Sequence, residues 1–123
     1  MFRILSKEDL APLVCRITLD APRIAATARA GQFVALIIDE QGERIPLTLA
    51  GWDTAKGTIT LIFQKVGFTT KKLGALSVGD TLAHVVGPLG HPTPVASYGS
   101  VVCIGGGVGI AEVYPVSRAM KEA

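Results

Sequence analysis

"GERIPLTLAGWD", residues 42–53, alternates in the manner of a half-buried strand: Ile45, Leu47 and Leu49 fall on one face, Arg44, Pro46 and Thr48 on the other. A turn signal from Asp53 to Gly57 separates it from "GTITLIFQKV", 57–66, and the two read as a hairpin through Lys56-Gly57. Outward from this pair, "FRILSKE" (2–8), "LVCRITLDA" (13–21), "QFVALIID" (32–39) and "DTLAHVVGP" (80–88) are further alternating or continuous apolar runs. Six short strands at this spacing predict an antiparallel barrel or sandwich. One short helix interrupts them, "KKLGAL" at 71–76, with Thr69 or Thr70 as its cap.

Composition agrees with a strand-rich globular chain. Of 123 residues 49% are apolar and 18% charged, which excludes a disordered chain, and the length suits one domain. A net charge of +2 without a run of five basic residues gives no footprint for nucleic acid. No apolar span reaches 18 residues and the N-terminus lacks a signal-peptide core, so no membrane association is expected and a cytoplasmic location is. Cys15 and Cys103 lie in apolar runs and read as small buried hydrophobes. Together with His84 and His91 they match no metal or iron–sulfur spacing, so no metal site is expected.

The texture changes after Gly90. "HPTPVASYG" (91–99) reads as a connector, and "SVVCIGGGVGIAEVYPVSRAMKEA" (100–123) as an apolar strand, a glycine cluster and a helix. We therefore divide the chain at 1–96 and 97–123. The second part is the opening βα unit of a parallel, doubly wound domain that this chain does not complete.

Three stretches could carry chemistry. In "RIPLT" (44–48), Arg44 could meet a phosphate and Thr48 a ring nitrogen or carbonyl, although the same face would also suit a solvated edge strand. In "KVGFTTKKL" (65–73), Gly67 permits close backbone approach, Thr69 and Thr70 stand where an anion is favoured, and Lys65, Lys71 and Lys72 add charge. An ordinary helix cap with solvated lysines explains this stretch equally well. In "CIGGGVGIAEVYP" (103–115), Gly105, Gly106, Gly107 and Gly109 follow a strand and open a helix, as a phosphate-cradling turn requires. The spacing is GxGxG, not the dinucleotide GxGxxG, because Ile110 stands where the last glycine would be.

Taken in order, "RIPLT", "VGFTTKKL", "GPLG" (87–90) and "IGGGVGIAEVYP" resemble the ferredoxin-reductase superfamily of flavoproteins. The resemblance is closer to the alpha subunit of NADH-dependent ferredoxin:NADP oxidoreductase, the sulfide dehydrogenase small subunit, and to the electron-transfer subunit of dihydroorotate dehydrogenase. It implies a six-stranded antiparallel Greek-key FAD-binding barrel with one short helix, followed by a Rossmann-like domain that is incomplete here. It further implies that Arg44 binds the FAD pyrophosphate, that Thr48 lies at the flavin N5 edge as the catalytic contact, and that Pro46 and Leu47 pack beside the isoalloxazine. Many superfamily members carry a tyrosine where Pro46 stands. Gly67, Thr69 and Thr70 would hold the pyrophosphate, with Ile62, Gln64 and Val66 passing the adenosine half. Gly105, Gly106, Gly107 and Gly109 would form the first turn of the NAD(P)H site.

The intact protein implied is an oxidoreductase passing electrons between NAD(P)H, flavin and an iron–sulfur partner, either a larger iron–sulfur/flavin subunit or ferredoxin. By the same resemblance, the cysteines that hold a [2Fe–2S] cluster in these subunits fall beyond Ala123, and the later strands that contact ribose and nicotinamide are missing, so NAD(P)H-dependent reduction is expected to be weak or absent in this chain alone. The rival expectation is a catalytically silent binding or assembly module. The apolar "VVCI" strand and the last helix predict a homo-oligomer, with a swap through residues 100–123 as one route to it, which a monomer in light scattering would refute.

Overall fold

A computed structural model describes residues 2–40, 42–92, 115, 116, 118, 119 and 121. Seven strands and two helices run in the order β1 (Phe2–Ala11), β2 (Val14–Asp20), α1 (Pro22–Thr27), β3 (Phe33–Ile37), β4 (Ile45–Asp53), β5 (Thr58–Gln64), α2 (Phe68–Gly74), β6 (Thr81–Leu82) and β7 (His84–Leu89). All pairings are antiparallel, in the order β6-β1-β2-β5-β4-β3-β7. The two outermost strands are consecutive in sequence, so the sheet curls almost into a closed barrel.

Two features depart from the six strands and single helix expected. "DTLAHVVGP" is one apolar run but serves two neighbours: Leu82 pairs with Phe2 of β1, and His84 with Ile37 of β3. The ladder breaks where the chain changes partner, at Ala83, whose N–H bonds Ile38 O at 3.1 Å. The second feature is α1, "PRIAAT", with Pro22 in its first turn and no side-chain cap. Its start is disguised, because Ala21 cannot signal a cap and six residues are too few to show a period. Ile24 and Ala25 of α1 are buried over the barrel.

Alternation places the core. Ile17 and Leu19 of β2, Val34 and Leu36 of β3, Leu49 of β4, and Ile59, Leu61 and Phe63 of β5 all point inward, joined by Ile4, Leu73 and Leu82. The β4–β5 hairpin turns at Gly57, whose φ of +68° and close approach to Pro22 admit no side chain: an added Cβ would lie 2.9 Å from Pro22 Cβ. At the far end of the barrel, Lys7 Nζ donates to Gly74 O and Leu76 O at 2.5 and 2.8 Å, satisfying carbonyls at the end of α2.

Candidate functional site

β4 changes neighbours midway, and this opens the site. Leu49 to Asp53 pair with β5, whereas Ile45 to Thr48 pair with β3, and a register shift falls between Leu49 and Gly51. Leu49 N–H turns to Gln32 O at 3.1 Å, towards β3. Beyond Leu49↔Leu61 the β4–β5 ladder ends, so the first half of β4 separates from the second half of β5. β4 is thus not the edge strand that its proline suggested. Its proline-bearing half nevertheless has a ladder on one side alone, which is why a residue without an N–H is tolerated there.

Arg44 and Pro46 are exposed and Thr48 is half-buried, while Ile45 and Leu47 pack against the core cluster. The side chain of Leu47 therefore faces away from Pro46 and Thr48. Directly paired residues of an antiparallel ladder share a face. The outer face accordingly carries two cross-strand rows, Leu89–Phe33–Thr48 and Val86–Ala35–Pro46. This is a mainly apolar face with one hydroxyl; Ala35 at its centre is buried, and Phe33, Val86, Pro46 and Thr48 supply its accessible surface. Gly90, with φ +80°, closes against it: an added Cβ would lie 2.9 Å from the Phe33 ring. Phe33, Ala35 and Val86 were not anticipated as site residues. Their signal lay in the unbroken apolar run "QFVALIID", since a strand covered on one face alone alternates.

On β5, Ile59, Leu61 and Phe63 point inward, so half-buried Ile62 and exposed Gln64 face outward. Val66 is exposed and Gly67 is the N-cap of α2 in extended conformation. The helix starts at Phe68, and Thr69 and Thr70 lie inside its first turn instead of capping it. The Thr70 hydroxyl works back on the entry: Oγ1 accepts Val66 N–H at 3.2 Å and Gly67 N–H at 2.9 Å. It is the reverse half of a capping box with threonine in the usual Glu/Gln position. Thr69, 6% exposed, donates its hydroxyl to Glu43 Oε1 at 2.6 Å. That bond brings the "RIPLT" and "VGFTT" segments together, because Glu43 immediately precedes Arg44.

The surrounding charge is more balanced than expected. Lys72 is paired with Asp39, and Lys65 with Asp9 at 3.1 Å, so two of the three lysines are engaged by carboxylates. Asp39, Glu43, Thr69 and Lys72 line an open cavity of about 840 Å³ between the β3–β4 loop and α2, with Phe68, 83% exposed, at its wall. Sequence reading missed Asp39 and Glu43; the three-residue spacing of Thr69 and Lys72 on one helix face was the available signal. Among the described residues no group of three or more His, Cys, Asp or Glu could hold a metal ion, and no helix is long and apolar enough to cross a membrane. Gly105, Gly106, Gly107 and Gly109, the domain division and the "VVCI" strand lie outside the described residues.

A solved structure reported for flavin-based electron bifurcation by NADH-dependent reduced ferredoxin-NADP oxidoreductase superposes with a TM-score of 0.98 at 42% identity, over 100% of this chain and 45% of that one. The chain has a ferredoxin-reductase-like fold. The barrel also matches an Amycolatopsis cytochrome P450 reductase with a TM-score of 0.80 at 27% identity, over 98% of this chain and 38% of the other. In sequence, the ferredoxin-reductase-like chain is 43% identical over 120 residues to a dihydroorotate dehydrogenase B (NAD(+)) electron transfer subunit homolog of Thermotoga maritima, covering 98% of this chain and 43% of that protein. It is 31% identical over 125 residues to the corresponding electron transfer subunit of Shouchella clausii, covering 97% and 48%. The chain thus spans less than half the length of these relatives. No family model matches it. The homologues are oxidoreductase subunits, and the part of them that this chain matches includes the ferredoxin-reductase-like barrel.

Proposed function

We propose that residues 1–96 bind FAD and serve as the flavin-holding part of an electron-transfer subunit, and that 97–123 begin its NAD(P)-binding domain. The observation that carries this reading is the separation of β4 from β5 at Leu49, beside a platform of Phe33, Ala35 and Val86. A planar, largely apolar ring with a polar edge suits such a surface. When bound, FAD would supply hydride acceptance from NAD(P)H and one-electron transfer to an iron–sulfur partner. The chain's own residues bind and orient. Thr48 would present its hydroxyl to the flavin N5 edge, Pro46 would pack beside the ring, and Leu47, whose side chain joins the core, would contribute backbone only. Arg44 would offer a planar fork of donors to the pyrophosphate, with Gly67 and Thr70 beside it and Thr69 available through its backbone alone, since its hydroxyl is given to Glu43. Ile62, Gln64 and Val66 flank the adenosine half. Gly105, Gly106, Gly107 and Gly109 would form the first turn of the NAD(P)H site, and the partner is an iron–sulfur/flavin subunit or ferredoxin.

The test is the visible spectrum and flavin fluorescence of the purified protein titrated with FAD. Saturable quenching is expected, weakened about 10- to 100-fold by Arg44→Ala, the range for losing a charge-assisted contact. Thr48→Val should alter the flavin spectrum with a smaller loss of affinity. Absence of binding, or an unchanged affinity in Arg44→Ala, overturns the assignment.

A further inference from the structure

Arg44 lies at the end of a long connection, residues 38–44, with no strand partner of its own, yet a pyrophosphate contact needs a fixed guanidinium. Two side-chain links tie that connection to α2. Asp39 pairs with Lys72, and Glu43 accepts the Thr69 hydroxyl at 2.6 Å. Thr69 and Lys72 stand three apart on α2 and so present one face to the loop. The two links differ in strength of placement. Lys72 and Asp39 side chains are 40% and 47% exposed, and such pairs are screened and weakly held. Thr69 is buried, and its hydroxyl donates to the Glu43 carboxylate, a charge-assisted hydrogen bond with one partner fixed in the helix packing.

We propose that Glu43 is a positioning residue for flavin binding: by accepting the Thr69 hydroxyl it holds the backbone of Arg44 beside the start of α2. This rests on the assignment of Arg44 to the pyrophosphate made above. A negative charge so close to a proposed anion site would by itself weaken binding, so a carboxylate retained there needs a compensating role. Its hydrogen bond supplies one. The effect on affinity runs through Arg44 and not through contact with FAD.

That route makes the inference testable by a double-mutant cycle read as FAD affinity in the purified protein. Glu43→Ala should weaken FAD binding about tenfold, the equivalent of one lost charge-assisted hydrogen bond. Glu43→Gln keeps the acceptor without the charge and should bind at least as tightly as the parent protein. In the Arg44→Ala background, Glu43→Ala should add nothing. Thr69→Val should reproduce Glu43→Ala, and Thr69→Ser should restore binding. Glu43 is exposed, so its truncation leaves the core intact, and thermal unfolding of each variant checks this. An unchanged or tighter affinity in Glu43→Ala, or an equal further loss in the Arg44→Ala background, overturns the proposal while leaving the flavin assignment standing. If Arg44→Ala itself binds FAD normally, the flavin assignment falls and this inference with it.

Discussion

Gln32 is buried, at 9% exposure, and its amide is used at both ends: Oε1 accepts Arg29 N–H at 2.9 Å and Nε2 donates to Gly90 O at 3.1 Å. Its own carbonyl takes Leu49 N–H at 3.1 Å. One residue thus fixes the entry to β3, the glycine under the Phe33 ring, and the point where β4 leaves β5. Gln32→Leu keeps the volume and removes the partners of Arg29 N–H and Gly90 O, for an expected loss of about 1 kcal/mol in urea unfolding, without flavin present. At this scale the sequence showed which residues share a face and hid which partners they meet. Arg44, Pro46 and Thr48 were visible because period-two alternation puts them on one face. Glu43 was not, because its meaning comes from Thr69, 26 residues away, and no local pattern carries a long-range hydrogen bond. Lys65 and Lys72 looked like free positive charge for the same reason: Asp9 and Asp39 reach them only through the fold.

The entry to α2 shows how an element can be legible in kind and wrong in its boundary. Gly67 and the two threonines marked a helix start, but a threonine three residues in can bond backward as well as cap forward. Thr70 takes the backward role, and so the helix begins at Phe68. Thr70→Val should therefore cost about 1 kcal/mol of stability in the flavin-free protein, with Thr70→Ser close to neutral, both read by thermal or urea unfolding. Equal stability of the valine and serine variants would leave the hydroxyl without this role. The strands were legible wherever one face is wet, as in β2, β4 and β5. The short helix α1 was not, since "PRIAAT" has neither a capping side chain nor the length to show a period.

Closure of the barrel depends on the thinnest ladder among the described residues. β6 meets β1 through two register pairs, Phe2↔Leu82 and Arg3↔Thr81, whereas β2 meets β5 through seven. Two backbone bonds reinforce the seam, Ile4 N–H to Asp80 O at 2.8 Å and Gly79 N–H to Ile4 O at 2.9 Å, and Ile4 and Leu82 bury their side chains beneath it. Local opening costs less where fewer bonds and less apolar area are released. Native-state hydrogen exchange should therefore find the Ile4 and Ala83 amides opening below the global unfolding free energy, while Ile17 and Leu61 exchange only with complete unfolding. Leu82→Ala should widen that gap, because the cavity it leaves falls on the seam, at a cost of about 2–5 kcal/mol if the site does not collapse. The proposed flavin platform lies on β7, β3 and β4, and β7 is continuous with β6 through Ala83, so binding there restrains one side of the same seam. Adding FAD should accordingly slow exchange at Ala83 more than at Leu61, in excess of the uniform stabilisation that any ligand of the folded state confers. A uniform effect across all four amides would instead place the ligand's grip away from β7.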